Sequence, residues 1–498
     1  MVARQEGANK GPLKGYTRYD VEKLKPSDAE KLNPRDVEKL NPSDAEDRPT
    51  TLSPLLPSPA LKIMEILEEA GHRAYLVGGC VRDLLLGREP RDLDVASSAL
   101  PEEVKKLFRR AHLKGERFGT VTVLDFGEPV EVTTFRAENG YADHRHPIEV
   151  RLGVTLEEDL ARRDFTVNAM ALGRRGEIVD PFGGRDDLRR GVIRCVGDPA
   201  RRFSEDALRM LRACRLAAEL GFALHPETSS AIQENASLIG HVSPERIREE
   251  FLRTLLAPDH KRGFDLLLET GLLNLFAPEI AALAGVEQGS HHLYDCYTHS
   301  LLTVVDKDIP SLALAELLHD LGKPDTRSVT PDGRVRFHRH EVVGAEKAAR
   351  LLERLRFPRR TAEEVATLIR HHLVFTLRDA GEGGFRRFIQ RVGRERIPLL
   401  ARLVRADVAA HGRMPPERAQ EVERVVRKLE EMASREEPLT LADLAVNGRD
   451  VMAALGIPPG PRVGQILARL LEAVLEDPSL NTREKLLQLV KEREAANT

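Results

Sequence analysis

Cysteine is scarce in this chain of 498 residues, and its four cysteines are far apart: Cys80, Cys195, Cys214 and Cys296. They have neither the paired spacing of a cysteine metal site nor the density of a secreted disulfide scaffold. We therefore expect four ordinary reduced thiols.

Long apolar stretches are also missing, so no segment has the length and hydropathy of a membrane-spanning helix. The first residues, "MVARQEGANKGPLKGY", lack the apolar region of a secretory signal. We therefore expect a cytoplasmic protein without a membrane partner.

Aromatic residues make up only 4% of the chain, whereas charged residues make up 31%, which is typical of a charge-rich globular protein. The length exceeds what one hydrophobic core supports, so several domains are expected. The net charge of −3 conceals arginine-rich segments such as "LARRDF" and "RRFIQRVGRER". Arginine is favoured where phosphates are bound in bidentate fashion, but basic helix faces are often only solvated. The arginine-rich segments alone therefore do not decide whether the protein binds nucleic acid.

Hydrophobic periodicity predicts an α+β fold in which a mixed-sheet head is followed by all-α domains. An eight-residue repeat near the start, "EKLKPSDA", offers one leucine per unit to bury and predicts a mostly disordered tail. The head contains the strand patterns "AYLVGG", "DLDVAS", "GTVTVLDFG" and "EPVEVTTFR", and helix follows helix after "DPFGGRDDL". The predicted regions are residues 1–55, 56–180, 181–285, 286–430 and 431–498.

Asp92 and Asp94, in "RDLDVAS", are two residues apart in a predicted strand and so share one face of it. Two carboxylates on one face repel each other unless both are solvated or a cation lies between them. The preceding Gly78–Gly79 turn permits close backbone approach, and the helix expected from Val81 can point N–H groups at an anion. A nucleoside triphosphate with Mg²⁺ fits this pattern, with Glu131 as the expected third carboxylate. A solvated surface turn is the alternative interpretation.

Several motifs occur in an order that resembles class II tRNA nucleotidyltransferases and the related bacterial poly(A) polymerases. They lie between about residues 58 and 285 and include "LVGGCVRDLLLG", "RDLDVAS", "RRDFTVNAMAL", "DPFGGRDDL" and "RRFSEDALRMLRACRLAAELGF". The resemblance implies a polymerase-β-like nucleotidyltransferase head (residues 56–180) with Asp92 and Asp94 as Mg²⁺ ligands. It also implies that a further set of residues contacts the incoming nucleotide: Arg82, Asp83, Arg162, Arg163, Asp164 and Asn168.

The "EDALR" motif predicts how a base is selected. On a helix, Asp206 and Arg209 share one face, and they present an acceptor beside a donor. Such a pair complements the Watson–Crick edges of cytosine and adenine but not those of uracil and guanine. Glu205 is expected to orient Arg209, and Arg212 completes the predicted nucleotide-binding set. An ordinary surface ion pair is the alternative. With this reading, residues 181–285 become a helical nucleotide-selecting and tRNA-binding region.

Histidines concentrate on predicted helices in "CYTHSLL", "LLHDLGKP", "RFHRHEVVG", "LIRHHL" and "RADVAAHG". The H…HD…D pattern resembles that of HD-domain phosphohydrolases, which implies that residues 286–430 bind a divalent transition metal. The expected ligands are His299, His319, Asp320 and Asp407. Further ligands are considered at His338, His340 and His371, and Lys323 is a predicted phosphate contact. The alternative role for this domain is to hold tRNA.

The resemblance implies a tRNA 3′-end nucleotidyltransferase that adds C and A from CTP and ATP without a nucleic-acid template. The polar segment "FRAENGYADHRHPIEV" resembles the flexible loop of enzymes that add the terminal A. An enzyme restricted to A addition, a poly(A) polymerase, and an HD phosphohydrolase whose head only binds RNA are the alternatives. Residues from about 439 resemble the C-terminal helical segment of the family, so residues 431–498 are expected to be a helical RNA-binding region, and a packing cap on the HD domain is the alternative.

Overall fold

A computed structural model describes residues 56–113, 119–141, 147–289 and 292–495. The predicted tail at residues 1–55 lies outside these described residues. The described chain forms two compact units. The first contains residues 56–113, 120–134 and 170–180, and the second contains residue 119, the described part of 135–169, and the described residues from 181 onward. Residues 135–169, which the sequence places in the head, thus cluster with the helical unit.

The first unit is built on a mixed sheet of seven strands in the order β3-β4-β5-β2-β1-β8-β9. Strand β2 pairs in parallel with β5 and antiparallel with β1. The strands are β1 (Ala74–Val77), β2 (Leu93–Ser97), β3 (Ala111–Leu113), β4 (Thr120–Val123), β5 (Val130–Thr134), β8 (Ala171–Leu172) and β9 (Ile178–Val179). Its helices are α1 (Ser58–Glu69), α2 (Gly79–Leu85) and α3 (Pro101–Leu107).

Alternating side chains explain how this sheet holds its core. The apolar residues Leu76, Val95 and Val132 are fully buried, whereas Asp94 and Glu131, on the opposite face of their strands, are partly exposed. This is the period of two that strands impose on buried and exposed positions. The predicted strands of the head are therefore confirmed, and the polar face of β2 and β5 remains accessible to a ligand.

The second unit is mainly helical. It begins with a hairpin of β6 (Arg136–Tyr141) and β7 (Pro147–Leu152), within the segment that the sequence describes as a flexible loop. Two short strand pairs, which the sequence analysis missed, follow: β10 (Val192–Ile193) with β11 (Ala223–Leu224), and β12 (Arg327–Val329) with β13 (Val335–Phe337).

The helices of the second unit pack around one continuous apolar core that includes Phe203, Phe251 and Phe264. Proline at the first turn begins many of them, because it supplies a suitable φ and lacks an N–H that would be unpaired there. They are α4 (Leu156–Ala161), α5 (Gly184–Arg190), α6 (Pro199–Glu205), α7 (Leu208–Leu220), α8 (Pro226–Asn235), α9 (Pro244–Leu255), α10 (His260–Glu269), α11 (Leu272–Phe276), α12 (Pro278–Ala281), α13 (Cys296–Thr303), α14 (Pro310–Leu318), α15 (Lys323–Thr326), α16 (His340–Arg354), α17 (Arg359–His371), α18 (Glu382–Val392), α19 (Ile397–Ala410), α20 (Pro416–Ser434), α21 (Gly448–Leu455), α22 (Pro461–Glu476) and α23 (Arg483–Ala495).

Two further expectations concern the cysteines and the membrane. All four cysteines are buried thiols that form no disulfide with one another, as the sequence predicts. Within the described ranges, every helix is too short or too polar to cross a bilayer.

Candidate functional site

The carboxylates predicted to bind metal lie on β2 and β5 of the first unit. Asp94 and Glu131 are register partners across the parallel pair, so their side chains leave the sheet on the same face. Asp92 directly precedes β2, two residues before Asp94, and is exposed. Sequence reasoning placed Asp92 inside the strand, but the strand begins at Leu93. Glu131, the predicted third carboxylate, is the register partner of Asp94, and carboxylate oxygens are the hard donors that suit Mg²⁺.

A glycine turn connects β1 to α2 in the same unit. Gly78 has φ of 81° and ψ of −143°, a conformation that side chains make costly. The helix begins at Gly79, two residues before the predicted start. The Arg82 guanidinium folds back over the start of this helix, where a Cβ added at Gly79 would lie 3.4 Å from one of its nitrogens, an ordinary contact distance. Arg82 also forms an ion pair of 2.8 Å with Asp83, and both side chains are largely buried.

The "ARRDF" motif lies in the second unit, where Asp159 holds both of its arginines. One Asp159 oxygen lies 2.7 Å from Arg162 and the other 3.3 Å from Arg163. Arg162 also donates to Glu138 on β6 at 3.1 Å. Burial raises the pKa of Asp159, but the charges of Arg162 and Arg163 outweigh this and leave the pKa below its ordinary value. The aspartate therefore stays ionised and fixes the direction of both guanidinium groups.

Asp164 connects the same motif to α7. It accepts hydrogen bonds from the Phe165 amide at 2.8 Å and from Asn168 at 3.2 Å, and Arg212 lies 3.0 Å away. Burial raises the pKa of this carboxyl, but Arg212 and Arg209 outweigh that effect and hold the pKa below its usual range. The structure thus brings Asp164, Asn168 and Arg212 together, as the resemblance implies for a nucleotide-binding set.

Glu205 and Arg209 form the contact expected from the "EDALR" motif. The guanidinium donates to a Glu205 oxygen at 2.8 Å, to the Arg202 carbonyl at 3.1 Å and to the Arg162 carbonyl at 3.1 Å. Both side chains are buried. The Arg209 fork is therefore held by one carboxylate and two backbone oxygens, which fixes its plane.

The single helix predicted through "EDALR" is wrong. Asp206 is extended, with φ of −143° and ψ of 104°, and it lies between the end of α6 and the start of α7. One of its carboxylate oxygens accepts the Leu208 amide at 3.1 Å, and the other pairs with Arg246 of α9 at 2.8 Å. The physical reason is that an aspartate side chain accepts hydrogen bonds from nearby backbone N–H groups in place of the helix carbonyls. Aspartate therefore favours the start of a helix over its interior.

A second set of polar groups lies further along the second unit. His299 Nε2 is 3.0 Å from Asp407 Oδ1, and His319 Nε2 is 3.2 Å from Asp320 Oδ2. The remaining cross distances, His299 to Asp320 and His319 to Asp407, are both 3.7 Å. Four donors at these spacings can surround one ion with metal–ligand distances near 2 Å. The structure thus brings the four predicted ligands together.

Asp320 also faces a neighbouring group. Its Oδ1 is 3.5 Å from His340 Nε2, and Asp320, His340 and His372 each offer an atom within 4.8 Å of the others. The two oxygens of one carboxylate thus serve two adjacent donor groups. Lys323 lies 2.6 Å from Asp320 Oδ2 and also contacts Gln288, so the predicted phosphate contact is buried against the aspartate.

The structure corrects two of the additional histidines. His338 is exposed outside these groups, and His371 lies at the edge of the Phe388 ring. The adjacent His372 faces Asp320 instead, because that side of the chain after α17 is buried. Sequence reasoning also missed His292 and His411, which join His299 in a third donor group. His411 follows Asp407 by four residues, and this helical spacing was a usable signal.

Several buried atoms indicate that these groups fit a metal. Among the described residues, His299 Nδ1, His319 Nε2 and both Asp320 oxygens are buried without a hydrogen bond of acceptable geometry, although the Lys323 ammonium lies nearby. Buried polar atoms are costly unless they are paired. Imidazole combined with carboxylate is the donor set of borderline transition metals. The residues therefore fit a divalent ion, and the pKa of Asp320 is held well below its usual value because His319 and Lys323 outweigh its burial.

Comparisons with known proteins match the head, the helical region after it and the histidine-rich region. Residues 74–194 match the poly A polymerase head domain, residues 221–283 the probable RNA and SrmB-binding site of polymerase A, and residues 284–410 the HD domain. A CCA-adding enzyme of Geobacillus stearothermophilus is 37% identical over 436 residues, which cover 87% of this chain and 96% of that protein. The chain belongs to the CCA-adding enzyme family.

Other CCA-adding enzymes extend this result. The enzyme of Lactobacillus helveticus is 51% identical over 213 residues, which span 43% of this chain and 53% of that protein. The crystal structure of the Bacillus stearothermophilus CCA-adding enzyme in complex with CTP aligns with a TM-score of 0.69 and 33% identity, covering 89% of this chain and 99% of that one. The predicted family and the mixed-sheet head followed by helical domains are therefore confirmed.

Proposed function

We propose that this protein builds the CCA end of tRNA by transferring C and A from CTP and ATP to the 3′ hydroxyl, without a nucleic-acid template. The observation that carries the proposal is the pairing of Asp94 with Glu131 across the adjacent parallel strands β2 and β5. Asp92 directly precedes β2. The family membership points to the same activity. A protein that acts on tRNA is expected in the cytoplasm, with no membrane partner.

Asp92, Asp94 and Glu131 are assigned the metal-binding role in this proposal. Two Mg²⁺ ions held by such carboxylates lower the pKa of an attacking hydroxyl and stabilise a leaving pyrophosphate. The sheet pairs Asp94 with Glu131 in register, so both side chains leave it on the same face. The Arg82 guanidinium lies over the start of α2 and pairs with Asp83, and both residues are assigned to the triphosphate.

The second unit supplies the groups assigned to nucleotide selection. Arg209 offers donors and Asp206 an acceptor, the pattern assigned to cytosine and adenine. Because the two residues do not share one helix, this assignment rests on their residue types. Glu205 holds Arg209 in one orientation, and Asp159 holds Arg162 and Arg163. Asp164, Asn168 and Arg212 complete the set assigned to the triphosphate and ribose.

Single-nucleotide resolution of tRNA extension tests this function. Three transcripts, ending before CCA, after one C and after CC, are incubated with CTP, ATP or both. We expect all three to reach CCA and Asp92→Ala to abolish the extension. Addition of A to the CC-ended tRNA alone would identify an A-adding enzyme. The formation of long A tails would identify a poly(A) polymerase. If no transcript were extended, the proposal would be overturned.

A second activity is favoured by the buried donors around Asp320. We infer that the HD domain holds a divalent transition metal and hydrolyses a phosphoester, with His299, His319, Asp320 and Asp407 as ligands. When bound, such an ion turns water into a nucleophile at neutral pH. Hydrolysis of bis-p-nitrophenyl phosphate and of a 2′,3′-cyclic nucleotide is expected in the presence of Ni²⁺ or Mn²⁺. Normal hydrolysis by both His319→Ala and Asp320→Ala would contradict the inference.

A further inference from the structure

Two histidines of the HD domain stand outside the H…HD…D pattern. The His292 and His411 rings are 4.0 Å apart, and each ring is close to His299, at 5.2 Å and 5.1 Å between centroids. The backbone holds them together, because His292 pairs with Gly412 in an isolated bridge and Leu293 donates to the His411 carbonyl. The approach of these rings is therefore built into the fold.

His411 is oriented in the same way as the histidines assigned to metal. In each of four histidines, Nδ1 lies at 2.7 to 3.0 Å from a backbone carbonyl three or four residues earlier, which leaves Nε2 as the outward nitrogen. A ring nitrogen held by a carbonyl fixes the tautomer and direction of a metal-binding imidazole. These histidines are His319, His340, His372 and His411.

Two further ring nitrogens lack a partner. His299 directs Nε2 toward Asp407, and its Nδ1 is buried without a hydrogen bond in the described part of the chain. His292 Nδ1 is likewise buried without a partner there. His299 is itself completely buried. A neutral imidazole has a single lone-pair nitrogen, so His299 serves two adjacent positions when its N–H proton is lost to solvent and the ring becomes a bridging imidazolate.

The three rings form a donor group of distinct chemistry. His292, His299 and His411 each offer a nitrogen within 4.8 Å of the other two. The other two groups both include the carboxylate of Asp320, whereas this group contains imidazole alone. Imidazole donors favour Zn²⁺, Ni²⁺ and Co²⁺, and Mg²⁺ requires oxygen donors. Three imidazoles leave one tetrahedral position for water or a phosphate oxygen.

We propose that His292, His299 and His411 form an additional metal position that accepts Zn²⁺, Ni²⁺ or Co²⁺ beside the ions held through Asp320. This inference rests on the proposed metal binding by the HD domain. It assigns two residues beyond the expected ligand set and predicts a metal preference that differs from that of the Asp320 groups. It is independent of tRNA extension.

Counting bound ions in the full-length, tag-free protein tests this position. Apo protein is equilibrated with excess Zn²⁺ or Mn²⁺, freed of loosely bound ions by gel filtration and analysed by plasma mass spectrometry. We expect His292→Ala and His411→Ala each to bind one Zn²⁺ fewer than the wild type. The same loss is expected for His411→Gln, which replaces the ring with a side chain larger than that of alanine. Their Mn²⁺ content should equal that of the wild type. His338→Ala removes an exposed histidine outside the groups and is the matched control.

Three outcomes are informative. One Zn²⁺ lost from the His292 and His411 variants, with melting temperatures unchanged, supports the position. An undiminished Zn²⁺ count in those variants, with a lower count in His372→Ala, overturns it while leaving metal binding through Asp320 intact. A wild-type protein that retains no transition metal in the HD domain overturns both the additional position and the metal binding through Asp320. The difference in visible absorption between Co²⁺-loaded wild type and Co²⁺-loaded His411→Gln gives an independent readout of this position.

Discussion

Arg209 donates to Glu205 across 2.8 Å, and the same guanidinium reaches the backbone carbonyl of Arg162. The guanidinium to which we assign base reading is thereby tied to the "ARRDF" segment as well as to its own helix. Because Arg209 is buried on all these sides, its orientation is set before any nucleotide arrives. Preorganised donors of this kind discriminate by leaving the wrong base unpaired.

Replacing Arg209 tests base selection. Arg209→Lys keeps the charge but loses the planar fork, so we expect kcat/KM for CTP and ATP to fall by about 10- to 100-fold, as for a lost charged hydrogen bond. Relative use of UTP should rise. Single-turnover extension with each of the four nucleotides measures both effects. Arg189→Lys, at an exposed arginine, should leave them unchanged, and unaltered selectivity in Arg209→Lys would refute the assignment.

Glu131 lies far in sequence from Asp92 and Asp94, so its replacement is the sharpest test of the proposed carboxylate set. Glu131→Gln keeps the shape of the side chain but removes its charge, so addition of both C and A should fall by about 100-fold or more. The melting temperature should move little, since the side chain is partly exposed. Glu128→Gln, in the exposed turn before β5, serves as the control. Comparable loss in both variants would point to a general disturbance of the sheet.

The ion pairs of Asp164 predict a pH dependence of stability. The pKa of this carboxyl is lower in the folded protein than its ordinary value of 3.8. Its contribution is therefore fully present above about pH 4 to 5 and is lost as the pH falls through the folded pKa. Asp164→Asn should lower stability at pH 7 by about 1–3 kcal/mol, and this gap should narrow toward pH 3.

Urea unfolding at several pH values measures the gap between Asp164→Asn and the wild type. Asp186→Asn changes an exposed aspartate and should produce a small gap at every pH. A gap for Asp164→Asn that is constant from pH 7 to pH 3 would show that its charge does not contribute.

The cysteines predict low thiol reactivity. Burial raises the pKa of Cys195, Cys214 and Cys296 to about 12 in each case, and Cys80 is buried with its thiol donating to the Val77 carbonyl. Since the thiolate is the reactive form, a thiol-specific disulfide reagent should modify fewer than one cysteine in the native protein over minutes. All four should react in denaturant. Rapid native reaction would show that a core segment opens.

Much of the head could be predicted because its strands alternate cleanly. Val95 and Val132 are buried on one face while Asp94 and Glu131 lie on the other, and period-two patterning records this directly. The alternation within β2 and within β5 does not predict that these two strands, which are distant in sequence, pair with each other. Glu131 was therefore chosen for its residue type and its strand, and the register supplied the proximity.

Sequence reasoning was less successful where local and tertiary preferences compete. The helical period through "EDALR" is strong, but the Asp206 side chain binds the Leu208 amide and ends the helix. In "LIRHHL", periodicity alone does not decide between two adjacent histidines. Packing at the end of α17 buries His372 and leaves His371 beside Phe388.

The break at Asp206 also affects how base preference can change during evolution. Its carboxylate is anchored by Arg246, forty residues further along the chain and on a different helix. Substitutions around α9 that shift this arginine would reposition an acceptor they never touch. On the proposed assignment, nucleotide preference would therefore depend on the sequence of a distant helix as well as on the "EDALR" motif.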